Sequence, residues 1–101
     1  MSQTVTTPKI ETRTKPERPK LWKVILLNDD YTPREFVTAV LAAVFRMTEA
    51  QANGVMLTAH QKGSCVVAVY TKEVADQKAQ DATDYGRQYG YPLAFTTERE
   101  E

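Results

Sequence analysis

Two carboxylates and a carboxamide stand side by side at Asn28-Asp29-Asp30, where an apolar run ends and Tyr31-Thr32-Pro33 leads into a helix. Such a cluster can cap the helix, hold a metal ion or receive a cationic group. The metal reading has little behind it except the oxygens. Adjacent side chains diverge in an extended segment, and the chain has no EF-hand loop, no His-Glu-x-x-His and no paired cysteines. Nucleophilic chemistry is no better supplied. Cys65, the sole cysteine, lies in a valine-rich run where Cys packs as a small hydrophobe, and His60 is the one imidazole available to it. Gly-x-Ser-x-Gly and phosphate-loop motifs are absent from the sequence. Acid/base work by Asp29, Asp30 and Glu35 stays open, without a substrate-positioning motif beside it. His60 follows Met56 by one turn, at the edge of an apolar stripe, where a lone histidine near a helix end is more often a boundary residue than a ligand.

The elements that must position these groups follow from pattern. Leu21-Trp22-Lys23-Val24-Ile25-Leu26-Leu27 is β-branched and aromatic, too short for a helix, and reads as a buried strand. Thr32 then offers an N-cap, Pro33 the first helical position and Glu35 the partner of a capping box. Phe36, Val37, Val40, Leu41, Val44 and Phe45 recur at helical spacing to about Arg46. A second capping box at Thr48 and Gln51 opens a helix that buries Ala52, Val55, Met56 and Ala59 and stops before Gly63. Gly54 inside it marks either a close backbone approach or a tolerated weak point. Cys65 to Tyr70 reads as a strand. Thr71 caps a long helix with Val74, Ala75, the Lys78 stem, Ala79, Ala82, Tyr85 and Tyr89 inward, stopped at Gly90. Leu93 to Thr97 is the last strand, and Glu98-Arg99-Glu100-Glu101 reads as solvated.

The order βααβαβ predicts an α+β fold, a two-layer sandwich of three helices on a three-stranded antiparallel sheet. A chain of 101 residues, 42% apolar, supports one compact domain. That domain is expected over residues 21–101. Residues 1–20 contain few sizeable apolar groups and the cations Lys9, Arg13, Lys15, Arg18 and Lys20, so a flexible basic extension is expected there. Thirteen basic and thirteen acidic residues cancel, which argues against holding a nucleic-acid backbone. No segment approaches the roughly 18 consecutive apolar residues of a membrane span, and no apolar leader opens the chain. With one cysteine, the composition fits a reducing cytoplasm. Proteins or peptides are the partners this balance favours.

Taken together, Trp22 to Pro33 with its Asn-Asp-Asp-Tyr-Thr-Pro core, Glu35-Phe36-Val37, Met56-Leu57-x-x-His60, Val74-Ala75 and Pro92-Leu93 resemble the ClpS adaptor family over residues 21–97. The resemblance implies a non-enzymatic, monomeric N-recognin without a cofactor. It would bind proteins bearing Phe, Tyr, Trp or Leu at a free N-terminus and hand them to the N-terminal domain of a ClpA-like Clp AAA+ unfoldase for proteolysis. It further implies that Asn28, Asp29 and His60 accept from the ligand's α-ammonium while Asp30 and Thr32 hold the first peptide unit. An ammonium has three donors and no acceptor, so it needs such a convergence. The implied pocket is Leu26, Thr32, Val37, Met56, Ala59 and Leu93, with Arg34 at its lip. Arg34 departs from the family's usual Met, and Ala59 is small where a larger aliphatic often stands. Glu73 and Lys78 match the family's unfoldase contact, and the extension matches a segment the unfoldase engages. Two other readings are a divalent-metal-dependent hydrolase on Asp29 and Asp30, and a generic interaction domain.

Overall fold

A computed structural model describes residues 20–101, so the expectation for the N-terminal extension lies outside the described residues except at Lys20, which is exposed coil. The order is β1 (Leu21–Leu27), α1 (Arg34–Phe45), α2 (Glu49–Lys62), β2 (Ser64–Thr71), α3 (Lys72–Gln88) and β3 (Ala94–Arg99). This is the expected βααβαβ sandwich. The first strand is the central one of an antiparallel sheet ordered β2-β1-β3.

Alternation along β1 decides which way the sheet faces. Val24 and Leu26 are fully buried, while Leu27 is exposed and Ile25 only half-buried. Leu26 pairs with Cys65 on one side and Phe95 on the other, so one register carries all three to the helical layer. Pairing with β2 slips between Val24 and Ile25, leaving Val67 without a partner. Helix α3 lies across all three strands, α2 lies against β2, and α1 bridges the two helices. Their shared core is Val24, Val40 and Leu41 with the small residues Ala52, Ala75 and Ala82. Burial of a side chain the size of Leu41 contributes about 1.5–3 kcal/mol.

Several boundaries differ from expectation, each for a local reason. Helix α1 starts at Arg34 with Pro33 as its N-cap and no side-chain cap, because the Thr32 hydroxyl is turned to Asp29 instead. Thr71 does hold the N-cap of α3, but its side chain makes no cap bond. Val74 and Tyr89 are exposed, at 43% and 62%, so the inner stripe of α3 is Ala75, Ala79, Ala82 and Gly86. Glu98 and Arg99 are strand residues, since they pair with Lys23 and Trp22, and Glu98 forms an ion pair with Lys23 at 3.2 Å. Gly54 has nothing within 4 Å of where a Cβ would stand and is a tolerated weak point. The capping box at Thr48 and Gln51 is present in full, and α2 stops at Gly63 with φ 94°.

Candidate functional site

The connection from β1 to α1 is built around one carboxylate. Asp29 Oδ1 accepts the Tyr31 and Thr32 backbone N–H groups, each at 2.8 Å, and the Thr32 hydroxyl donates to both carboxylate oxygens at 3.0 and 2.9 Å. Such a side chain folds the loop back on itself, as Asp does in turns generally. The loop is tied to α2 as well: the Asn28 N–H donates to the Gly63 carbonyl at 3.0 Å. This bond follows from topology, because the left-handed Gly63 turns α2 directly into Ser64, the β2 partner of Leu27. Asn28 is thereby brought to the C-terminal end of α2, which carries His60.

Between loop, helices and sheet lies a cavity of about 260 Å³. Its apolar wall is formed by Leu26 of β1, Val37 of α1, Met56 and Ala59 of α2, and Leu93 before β3. Met56 is half-buried and the other four are nearly or fully shielded from solvent. The polar groups gather at the opening: Asn28, Asp29, Asp30 and Thr32 from the loop and His60 from α2. Asn28, Asp30 and His60 are exposed there, while Asp29 and Thr32 are half-buried. Arg34, at the first helical position of α1, is exposed and completes the lip, and among the described residues it makes no ion pair with Asp30 or Glu35. Leu27 and Pro33 also line the cavity, and sequence reasoning did not include them. Leu27, the outward residue of the last strand pair, carried no signal for this.

The arrangement offers an apolar hole with acceptor oxygens and an imidazole at its rim. It can take a side chain inward and hold a donor-rich group at the opening. Among the described residues no three His, Cys, Asp or Glu side chains are grouped to hold a metal ion. The Asp29 carboxylate already takes three of the loop's own donors, the Tyr31 and Thr32 N–H groups and the Thr32 hydroxyl. The Cys65 thiol stands outside this cavity, and burial pushes its pKa up against smaller opposing effects of Lys62 and Thr58, which disfavours a thiolate. Glu73 and Lys78 lie on α3, away from the cavity. Glu73 is exposed in the first turn, and Lys78 is half-buried with its Nζ donating to the Val44 carbonyl at 2.8 Å. That bond places a cation on a carbonyl in the last turn of α1, where a helix leaves its carbonyls without intrahelical partners. None of the described helices is long and apolar enough to cross a membrane.

Residues 17–96 match the family model described as ATP-dependent Clp protease adaptor protein ClpS. The chain is 67% identical to ATP-dependent Clp protease adapter protein ClpS 1 of Bradyrhizobium diazoefficiens, over 100% of both chains. It is 68% identical to ClpS 1 of Rhodopseudomonas palustris over 92% of this chain and 90% of that one. The solved structure of Agrobacterium tumefaciens ClpS2 bound to L-phenylalaninamide superposes with a TM-score of 0.81 at 63% identity, covering 82% of this chain and 100% of that one. With the family model spanning most of the chain and the fold shared in three dimensions, the chain belongs to the ClpS family of adaptor proteins of the ATP-dependent Clp protease, and is an adaptor rather than an enzyme.

Proposed function

We propose that this adaptor selects proteins by a free N-terminal residue with a bulky hydrophobic side chain, Phe, Tyr, Trp or Leu, and delivers them to a Clp AAA+ unfoldase in the cytoplasm. The observation that carries this reading is the joining of an apolar cavity to a rim of acceptors within the span of one residue. The side chain enters among Leu26, Val37, Met56, Ala59 and Leu93, where Met56 can mould itself to rings and branched chains alike. The α-ammonium donates to Asn28, Asp29 and His60, and Asp30 and Thr32 hold the first peptide unit. Asp29 can serve both loop and ligand because a carboxylate has about four lone-pair sites. Specificity follows from requiring both ends of one residue: side-chain burial contributes about 1.5–3 kcal/mol, and each hydrogen bond to charge about as much again.

The relative solved with L-phenylalaninamide supports the same reading, since that ligand combines one benzyl side chain, one free α-amine and an amide in place of the peptide bond. Delivery is assigned to the rest of the molecule. Residues 21–101 bind the peptide, the extension at 1–20 is engaged by the unfoldase, and Glu73 and Lys78 contact the unfoldase's N-terminal domain. Lys78 does this while its ammonium also serves Val44, so its contribution comes from the two donors left over.

A peptide beginning with free Phe is expected to bind at least about a hundredfold more tightly than its N-acetylated form, the scale of one or two charge-assisted hydrogen bonds. Equal affinity, read by fluorescence anisotropy, would sink the proposal. Deleting residues 1–20 should leave that affinity unchanged and slow degradation by the Clp protease. A loss of peptide affinity would contradict the division of labour.

A further inference from the structure

Gly86 is buried in the last full turn of α3, and the segment that follows returns tightly over it. A methyl group at Gly86 would stand 2.9 Å from Leu93 Cβ, 3.6 Å from Leu93 Cδ2 and 3.6 Å from the Tyr91 carbonyl oxygen. Carbon atoms pack best at about 3.5–4.0 Å, so the first contact is too close. The atom met is the root of a side chain fixed to backbone, not a flexible tip. Two backbone bonds hold the return in place, with Tyr91 N–H donating to the Gly86 carbonyl at 2.9 Å and Tyr89 N–H to the same oxygen at 3.1 Å. Gly54 makes the contrast, since space is open around it and nothing in the packing requires a glycine.

Leu93 has two sides. One rests on Gly86, and the other is part of the cavity wall, to which α3 contributes no residue. Leu93 therefore stands between α3 and the cavity, and displacement away from α3 carries it into the cavity. We infer that Gly86 is a specificity-determining position of this adaptor: by lacking a side chain it lets Leu93 sit back and sets the depth open to the ligand's first residue. The depth so gained favours the rings of Trp, Tyr and Phe over the shorter Leu, and Ala59, with only a methyl on the same wall, works in the same direction. This rests on the proposed function of the cavity and adds what sets its size.

The test is Gly86→Ala in the full chain, with free-amine peptides identical after a first Trp, Phe or Leu. Trp affinity should fall about tenfold while Leu stays within about twofold, the scale on which apolar pockets tell one carbon group from another. Adding Leu93→Ala, which keeps Cβ but removes the intruding isopropyl tip, should return Trp binding in the double variant. Thermal melting separates this from general damage, because alanine is the better helix former and offsets part of the crowding. Uniform weakening with a lowered melting temperature, or an unchanged Trp-to-Leu ratio, would overturn the inference. Failure of the unaltered chain to bind free-amine Phe would instead overturn the reading of the cavity itself, and the inference with it.

Discussion

Helices α1 and α2 are entered through the same four-residue signature, Thr32 with Glu35 and Thr48 with Gln51. At Thr48 the signature acts as a capping box: the hydroxyl accepts from the Gln51 N–H at 3.1 Å, and the Gln51 side chain accepts from the Thr48 N–H at 3.0 Å. At Thr32 neither bond forms. The hydroxyl donates to Asp29, the cap passes to Pro33, and the Pro33 carbonyl receives the Phe36 and Val37 N–H groups at 3.0 and 3.1 Å. An equivalent threonine thus serves a helix in one place and a loop in the other. The helix that gives up its cap is the one whose N-terminus lines the cavity, which fits the general finding that local rules are broken where a site has to be built.

The largest loss is expected at Asp29. Asp29→Ala deprives the Tyr31 and Thr32 N–H groups and the Thr32 hydroxyl of their acceptor, and removes one of the three groups assigned to the α-ammonium. Affinity for a free-amine Phe peptide is expected to fall about a hundredfold or more, as for loss of a hydrogen bond to charge together with the loop that presents it. The milder Asp29→Asn should lower it about tenfold, because an amide oxygen can keep the loop bonds but carries no charge. Isothermal titration checks both, and an Asp29→Ala protein that binds normally would show that the loop is not the rim of a binding pocket.

Next comes the hydroxyl of Thr32. Thr32→Val keeps shape and removes the donor to Asp29, so peptide affinity should drop about fivefold, a neutral-to-charged bond in a half-buried setting. Thermal stability should move little, since this side chain caps nothing. A large stability loss with unchanged affinity would mean that Thr32 supports α1 after all.

How far the sequence anticipates this depends on the range of the interaction. Leu21–Leu27 is legible to the residue because its apolar run ends at a polar cluster, and α2 because both its caps are written locally. Strands β2 and β3 extend beyond their apolar runs because pairing, not burial, sets their ends: Ser64 meets Leu27, Thr71 meets Leu21, and Arg99 meets Trp22. The rim and wall residues found by resemblance do come together around one cavity. The use of Asp29 is not legible, since Thr32 satisfies a capping pattern and an Asp-turn pattern equally well and only the three-dimensional loop decides. Gly86 is hidden for a different reason. Its requirement comes from Leu93, whose approach depends on the return after Gly90, at φ 81°, whereas Gly54, flagged by position in a helix, has no packing role.

The smallest effect expected is the mirror image, Thr48→Ala. Both bonds of the box are solvent-exposed, so water can replace part of what is lost, and the cost to stability should be about 1 kcal/mol. For a domain of this size that lowers the melting temperature by roughly 4–8 °C. Peptide affinity should stay within about twofold. Met56, Ala59 and His60 lie in the second half of α2, whose C-terminal turn is held separately by Gly63 and its bond to Asn28, so fraying at Glu49 need not reach them. The two threonine variants therefore cross: one loses binding without stability, the other stability without binding. Parallel losses in both would mean that the loop and the two helices form one cooperative unit in which cap and site cannot be separated.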